Sequence, residues 1–291
     1  MGSDRRVDGA ADGAVDGGQA ARWNGPAGNA WVESQDLVDG LFAPLERLVV
    51  DAVPAGRGGR VLDVGCGTGG TTVALARRLG PGGRCVGVDV SEPMVVAARA
   101  RAEREGVRAS FVRADASDPV FEPGSFDAVV SRFGVMFFAD PVRAFAQLRR
   151  AAKEGSVLRF VVWRGIEENP FMTTAERAAA PLLPDLPERV PDVPGQFGLA
   201  DAGRVRRLLG AGGWAGVEVR PVDAVCVMPE AELVPYFSRF GPVGIALRGT
   251  DPATRARVIE SVRPAFSSFV RGSEVRFTAA CWQIEARASG R

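Results

Sequence analysis

Val61-Leu62-Asp63-Val64-Gly65-Cys66-Gly67-Thr68-Gly69-Gly70 is the stretch that decides the reading of this chain. An apolar run of strand character ends in a glycine-dense loop, and the loop opens a helical stretch over 71–79. Glycines admit positive φ and let a ligand approach the backbone closely, while the first N–H groups of a helix carry a partial positive charge. A ligand with an anionic or polar end is expected at this turn.

Outward from that loop the pattern repeats. Short apolar runs at 60–64, 84–88, 110–113, 127–131 and 156–163 read as strands, continuous enough in apolar residues to be buried on both faces. Helical stretches at 71–79, 93–105 (with Ser91 as N-cap) and 141–152 separate most of them, which predicts a parallel sheet in a doubly wound, Rossmann-like α/β fold. Before the first strand, Leu37, Leu41, Leu45, Leu48 and Val49 recur at helical spacing around Pro44, giving two helical pieces or one kinked helix. After Trp163 the rhythm changes. Six prolines between Gly165 and Phe197 exclude one long helix there. A helix over 171–180, another over 202–209, a strand near 217–226, helices near 230–240 and 252–270, and a last strand near 274–285 complete the chain. The resulting division is a disordered lead (1–20), an N-terminal helical segment (21–56), a cofactor-binding core (57–164) and the rest of the sheet (165–291). Helical insertions near 165–200 and 228–272 are expected to cap the carboxyl edge of the sheet, where ligands of doubly wound proteins bind.

The 291 residues are 46% hydrophobic and 24% charged, ordinary globular proportions. A net charge of +1 supplies no cation excess for a phosphate backbone, so a small-molecule partner is expected, not a nucleic acid. The absence of histidine removes imidazole bases, imidazole-ligated metals and Ser-His-Asp or Cys-His nucleophiles. The four cysteines, Cys66, Cys85, Cys226 and Cys281, are dispersed without a CxxC pair, so no metal site and no disulfide framework is expected. Cys66, inside the loop, reads as a packing residue. No apolar run is long enough to span a membrane. A cytoplasmic monomer or homodimer is the expectation.

Gly65, Gly67 and Gly70 alone satisfy GxGxxG, which leaves a dinucleotide-binding oxidoreductase open, and Asp89 at the end of the second strand suits ribose hydroxyls in either case. Asp63 before the first glycine, Gly69 completing GxGxG, Asp89-Val90-Ser91 after strand two and Ala114-Asp115-Ala116 after strand three form a fuller combination. It resembles the class I S-adenosylmethionine-dependent methyltransferases, in particular the ubiquinone and menaquinone biosynthesis group. The resemblance is strong from Val61 to Trp163 and weak from Trp23 to Gln35.

That resemblance implies a seven-stranded sheet with an antiparallel last strand and S-adenosylmethionine as methyl donor. By it, Gly65, Gly67 and Gly69 pass beneath the methionine part, Asp63 orients the amino group, and Asp89 accepts from both ribose hydroxyls. Asp115 takes the adenine amine with the Ala116 N–H nearby, Val90 and Met94 pack on the purine, and Ser131 to Phe133 line the methionine end. The acceptor would be a small, lipophilic molecule attacked at N, O or C, with Phe133, Phe137 and Trp31 as candidate contacts. Its general base, where one is needed, would be a carboxylate or Tyr236, the only tyrosine. A peptide N-methyltransferase and a non-catalytic cofactor-binding protein stand as alternatives.

Overall fold

The computed structural model describes residues 17–54, 59–187, 189 and 193–289. Residues 1–16 of the expected disordered lead lie outside the described residues. Residues 17–20 do not continue that lead, because they open α1 (Gly17–Asn24), which is followed by α2 (Pro26–Glu33) and α3 (Gln35–Val50). Order therefore begins before Trp23. Helix α3 runs through Pro44 as one element. Its Val38, Leu41, Phe42, Leu45 and Val49 are all buried, and this apolar face outweighs the hydrogen bond lost at proline.

The core then alternates as expected: β1 (Gly59–Val64), α4 (Gly70–Leu79), β2 (Gly83–Asp89), α5 (Glu92–Arg104), β3 (Ala109–Arg113), β4 (Phe126–Arg132), α6 (Pro141–Ala151) and β5 (Ala152–Trp163). The second half comprises α7 (Pro170–Ala179), α8 (Ala202–Ala211), β6 (Ala215–Pro229), α9 (Leu233–Arg239), α10 (Gly241–Ala246), α11 (Pro252–Ala265), β7 (Val270–Arg271) and β8 (Glu274–Arg287). The strand order is β3-β2-β1-β4-β5-β8-β6, with β8 antiparallel to both neighbours and the first five strands parallel. The seven expected strands are present and the last is antiparallel. The addition is β7, a two-residue hairpin partner of β8 that brings the sheet to eight strands.

The order reverses between β1 and β4, so their carboxyl ends form the topological switch point where a crevice opens. Here the two strand-end loops touch. A Cβ on Gly65 would lie 2.5 Å from the Cα of Gly134. Ser131 ties the same ends together, its Oγ donating to Val64 O at 2.7 Å and accepting from Gly134 N at 3.1 Å. Beneath the switch point Val61, Leu62, Val64, Val129, Val130, Leu158, Phe160 and Val161 are buried. Among the described residues no helix is long and apolar enough to cross a membrane.

Candidate active site

The glycine loop leaves β1 by hydrogen bonds from Gly65 N and Cys66 N to Val88 O at 2.8 and 3.1 Å, which carry the chain across the end of β2. Gly65 and Gly67 have φ of +65° and +54°, values an L side chain rarely adopts. An added Cβ at Gly67 would meet only Met94 Sδ, at 3.9 Å, so this backbone faces open space. Gly69 does otherwise. Its Cβ would strike Ala98 at 2.9 Å and Phe111 at 3.1 Å, so this glycine permits close packing of α4 on α5 and β3 and does not line the cavity. Cys66 is buried with Val73, Val95, Ala98 and Phe111, and burial pushes its thiol well above the ordinary range.

Asp89 closes the loop from the other side. Its Oδ2 accepts from Gly67 N and its Oδ1 from Ser91 N, each at 2.9 Å. Burial raises this carboxyl, while the N–H groups of Ser91, Gly67 and Val90 favour its charged form. Asp63 lies deeper and is fully buried, accepting from Thr72 Oγ1 at 2.6 Å. Burial pushes its carboxyl up to about 7 against the pull of Thr72 and Arg132. It supports the floor and does not itself line the cavity.

The cavity that opens above the loop is lined at one end by Gly65, Gly67, Asp89 and Arg132, and along its length by Val90, Met94, Asp115 and Ala116. Asp115 uses Oδ1 to accept from Ser117 N at 2.7 Å, which leaves Oδ2 available. Trp23, Trp31, Phe133, Phe137 and Phe138 make an aromatic wall. Edge contacts order that wall, with centroid separations of 5.0 Å for Trp23–Phe137 and 6.2 Å for Trp23–Trp31. Phe133 is the one non-glycine residue at positive φ among the described residues, at +67°. Parallel stacking on Trp163 at 4.8 Å and an edge contact with Phe42 at 5.6 Å hold it there. Backbone of this kind persists where surrounding packing over-determines it, commonly at functional sites.

The structure thus brings Gly65, Gly67, Asp89, Val90, Met94, Asp115, Ala116, Phe133, Phe137 and Trp31 to one cavity. Three candidates stand behind it. Asp63 and Ser131 support its floor, and Gly69 packs the helix that follows.

Among the described residues, none from 165–200 or 228–272 lines the cavity, so the expected roof is not built by them; α7 packs against α11 instead. Helices α1 and α2 cover the cavity, and the insertions meet its surroundings through Phe240 against Trp31 at 5.4 Å, Arg239 Nη1 donating to Ser34 Oγ at 3.2 Å and Gly195 N donating to Met136 O at 3.0 Å. Tyr236 goes with them. Its hydroxyl contacts Met172 Sδ at 3.5 Å and lies away from the cavity, and burial raises it far above its ordinary range. It cannot serve as a base at the cavity from that position.

Gln19 escaped the sequence reading, whereas Arg132 falls within the span 131–133 expected to line the methionine end. Its Nη2 pairs with Asp39 at 3.5 Å, while its buried Nη1 has no hydrogen-bond partner among the described residues. Gln19 was placed in the disordered lead, and only the helical periodicity linking it to Trp23 could have found it.

Comparison with known proteins agrees with this geometry. Residues 61–155 match the family of methyltransferase domains. Over 119 residues the chain is 40% identical to nocamycin O-methyltransferase of Saccharothrix syringae, covering 40% of this chain and 42% of that protein. It is also 40% identical over 99 residues to demethylmenaquinone methyltransferase of Thermus thermophilus, covering 34% of this chain and 44% of the relative. The chain spans about half the length, or less, of these curated relatives. The crystal structure of the YcgJ protein from Bacillus subtilis superposes with a TM-score of 0.55 over 84% of this chain and 98% of that one, at 17% identity, which shows the shared fold. The oxidoreductase reading that the glycine loop left open gives way to these matches: residues 61–155 match a methyltransferase domain.

Proposed function

We propose that the protein transfers a methyl group from S-adenosylmethionine to a nucleophilic O, N or C of a small, lipophilic metabolite. One observation carries this reading: a single cavity joins a polar floor suited to a nucleoside with an aromatic wall suited to an apolar acceptor. The fit to the donor rests on the residues present. Gly67 exposes bare backbone to the cavity, Asp89 and Asp115 present carboxylate oxygens, Val90 and Met94 offer apolar faces, and Arg132 brings an unpaired guanidinium nitrogen. Asp89 would accept from the ribose hydroxyls and Asp115 from the adenine amine. The buried charges of Arg132 and Asp63 complement the carboxylate and ammonium of an amino acid.

When bound, the donor supplies an electrophilic methyl group on a positively charged sulfur. The chain's contribution is to orient both reactants and exclude water. Holding them at attack distance can supply ~7–11 kcal/mol. Trp23, Trp31, Phe133, Phe137 and Phe138 keep the surroundings apolar, which favours a step that disperses charge. The lipophilic acceptor class rests on these five rings.

The acceptor class is tested by incubating purified protein with methyl-labelled S-adenosylmethionine and a panel of hydroxyquinones, polycyclic phenols, peptides and nucleic acid. Label on the quinones or phenols is expected. Label on nucleic acid alone would overturn the reading.

A further inference from the structure

The N-terminal helices are bolted to the loop that carries Asp89. Asn24 Nδ2 donates to Val90 O at 3.1 Å, and Asn24 Oδ1 accepts from Glu92 N at 2.8 Å. Between these contacts the buried Ser91 donates through Oγ to Trp23 O at 2.6 Å. Gly28 seals the joint, since a Cβ there would lie 2.0 Å from Trp23 O and 3.0 Å from Ser91 Oγ. Asp89, in turn, holds Ser91 N and Gly67 N. A continuous chain of hydrogen bonds therefore runs from α1 through the β2–α5 turn to the glycine loop. On its inner side, Trp23 and Gln19, one helical turn apart, line the cavity. Gln19 Oε1 is buried and has no hydrogen-bond partner among the described residues, as expected of a polar group that meets a ligand.

We propose that residues 17–33 form a wall of the donor site, and that Asn24 is a positioning residue that sets Asp89 and Val90 for the donor. The proposal rests on the reading of S-adenosylmethionine as donor. Asn24 spans the turn from outside with one acceptor and one donor, so it fixes the two peptides that flank Ser91. Without it, the turn and α1 must be ordered at the moment of binding, and that ordering cost appears as lost affinity.

The test compares wild type, Asn24→Ala and Asn24→Asp by calorimetric titration with S-adenosylmethionine and by hydrogen exchange with and without it. Asn24→Ala is expected to weaken binding about tenfold, the effect of losing its two hydrogen bonds to the turn; its third, to Ala20 O at 2.8 Å, lies within α1. Asn24→Asp keeps the acceptor for Glu92 N but loses the donor to Val90 O, so its affinity should fall below that of wild type. In wild type the donor should slow exchange across 17–33 and 90–92, a readout that a purely structural contact would not move. Unchanged exchange in 17–33 on adding donor, or wild-type affinity in both variants, would overturn the proposal even if Asn24→Ala folds poorly. Wild-type protein that binds no S-adenosylmethionine would overturn the donor reading itself, and the proposal with it.

Discussion

Asp89, partly buried, and Asn169, fully buried, are polar groups in opposite halves of one sheet, and they do different things. Asn169, at the start of α7, has both ends of its carboxamide engaged by one residue, donating to Ala280 O at 3.0 Å and accepting from Ala280 N at 2.9 Å. Asp89 accepts two backbone N–H groups and still faces the cavity. The first satisfies its neighbours and closes the structure, whereas the second satisfies its neighbours and keeps lone pairs for a ligand. The same contrast runs through the two halves. Around β1, β2 and β4, strand ends converge on the helix N-terminus behind the glycine loop and leave a crevice. Around β5, β8 and β6, aromatic stacking such as Phe171 on Phe277, at 3.9 Å and 3°, fills the space that would otherwise be a pocket.

Substitutions can break that contrast, beginning with the largest effect. Asp89→Ala removes a charged acceptor at the position proposed for the ribose and should weaken donor binding by about a hundredfold or more, as loss of two hydrogen bonds to a charged group implies. A normal binding isotherm would contradict the ribose assignment. Gly67→Val and Gly69→Val should separate ligand contact from packing within one loop. At Gly67 the side chain enters the cavity, so binding is lost from a chain that still folds. At Gly69 it strikes Ala98 and Phe111, so thermal unfolding shows the loss first, by roughly 1–3 kcal/mol for an overpacked site. Equal loss of stability in the two variants would erase the distinction. In the other half, Asn169→Ala strands the buried N–H of Ala280, whose C=O keeps Arg164 N as a donor at 2.9 Å. It should cost about 1–3 kcal/mol in chemical denaturation while leaving donor affinity intact.

The smallest effect is a pH dependence. Asp63 has its carboxyl raised to about 7 in the fold by burial. The folded chain therefore binds a proton that the unfolded chain releases near 4. The stability this gives is fully present below about 4 and is lost as pH rises through 7. Donor affinity should run the opposite way between pH 6 and 7.5, because an ionised Asp63 favours the ammonium of the donor. Asp63→Asn should flatten both trends, and a slope that survives in that variant would move its origin to another group.

Much of the fold could be read from sequence because parallel strands buried on both faces leave mostly apolar runs, and Val61–Val64 and Leu158–Val162 are such runs, each interrupted by one charged residue. The glycine loop and Asp89 were legible for a local reason, since a sharp turn into a helix restricts which residues fit. What escaped depends on distant contacts. Nothing near Gln19 or Asn24 announces that α1 docks on a loop more than sixty residues away. Nothing around Tyr236 shows that its ring turns toward Phe171 and away from the crevice. Phe133 reads as one aromatic among several until its positive φ and its stack on Trp163 are seen. Gly69 completes the GxGxG pattern, yet the distance to Phe111, forty-two residues on, gives it a packing role.

Calorimetric titration of the protein with S-adenosylmethionine, S-adenosylhomocysteine and NADH separates a methyl-donor site from a dinucleotide site. Micromolar binding of the first two with no heat from NADH is the expected result. Binding of NADH alone, or no binding of any of the three, would contradict the methyl-donor reading.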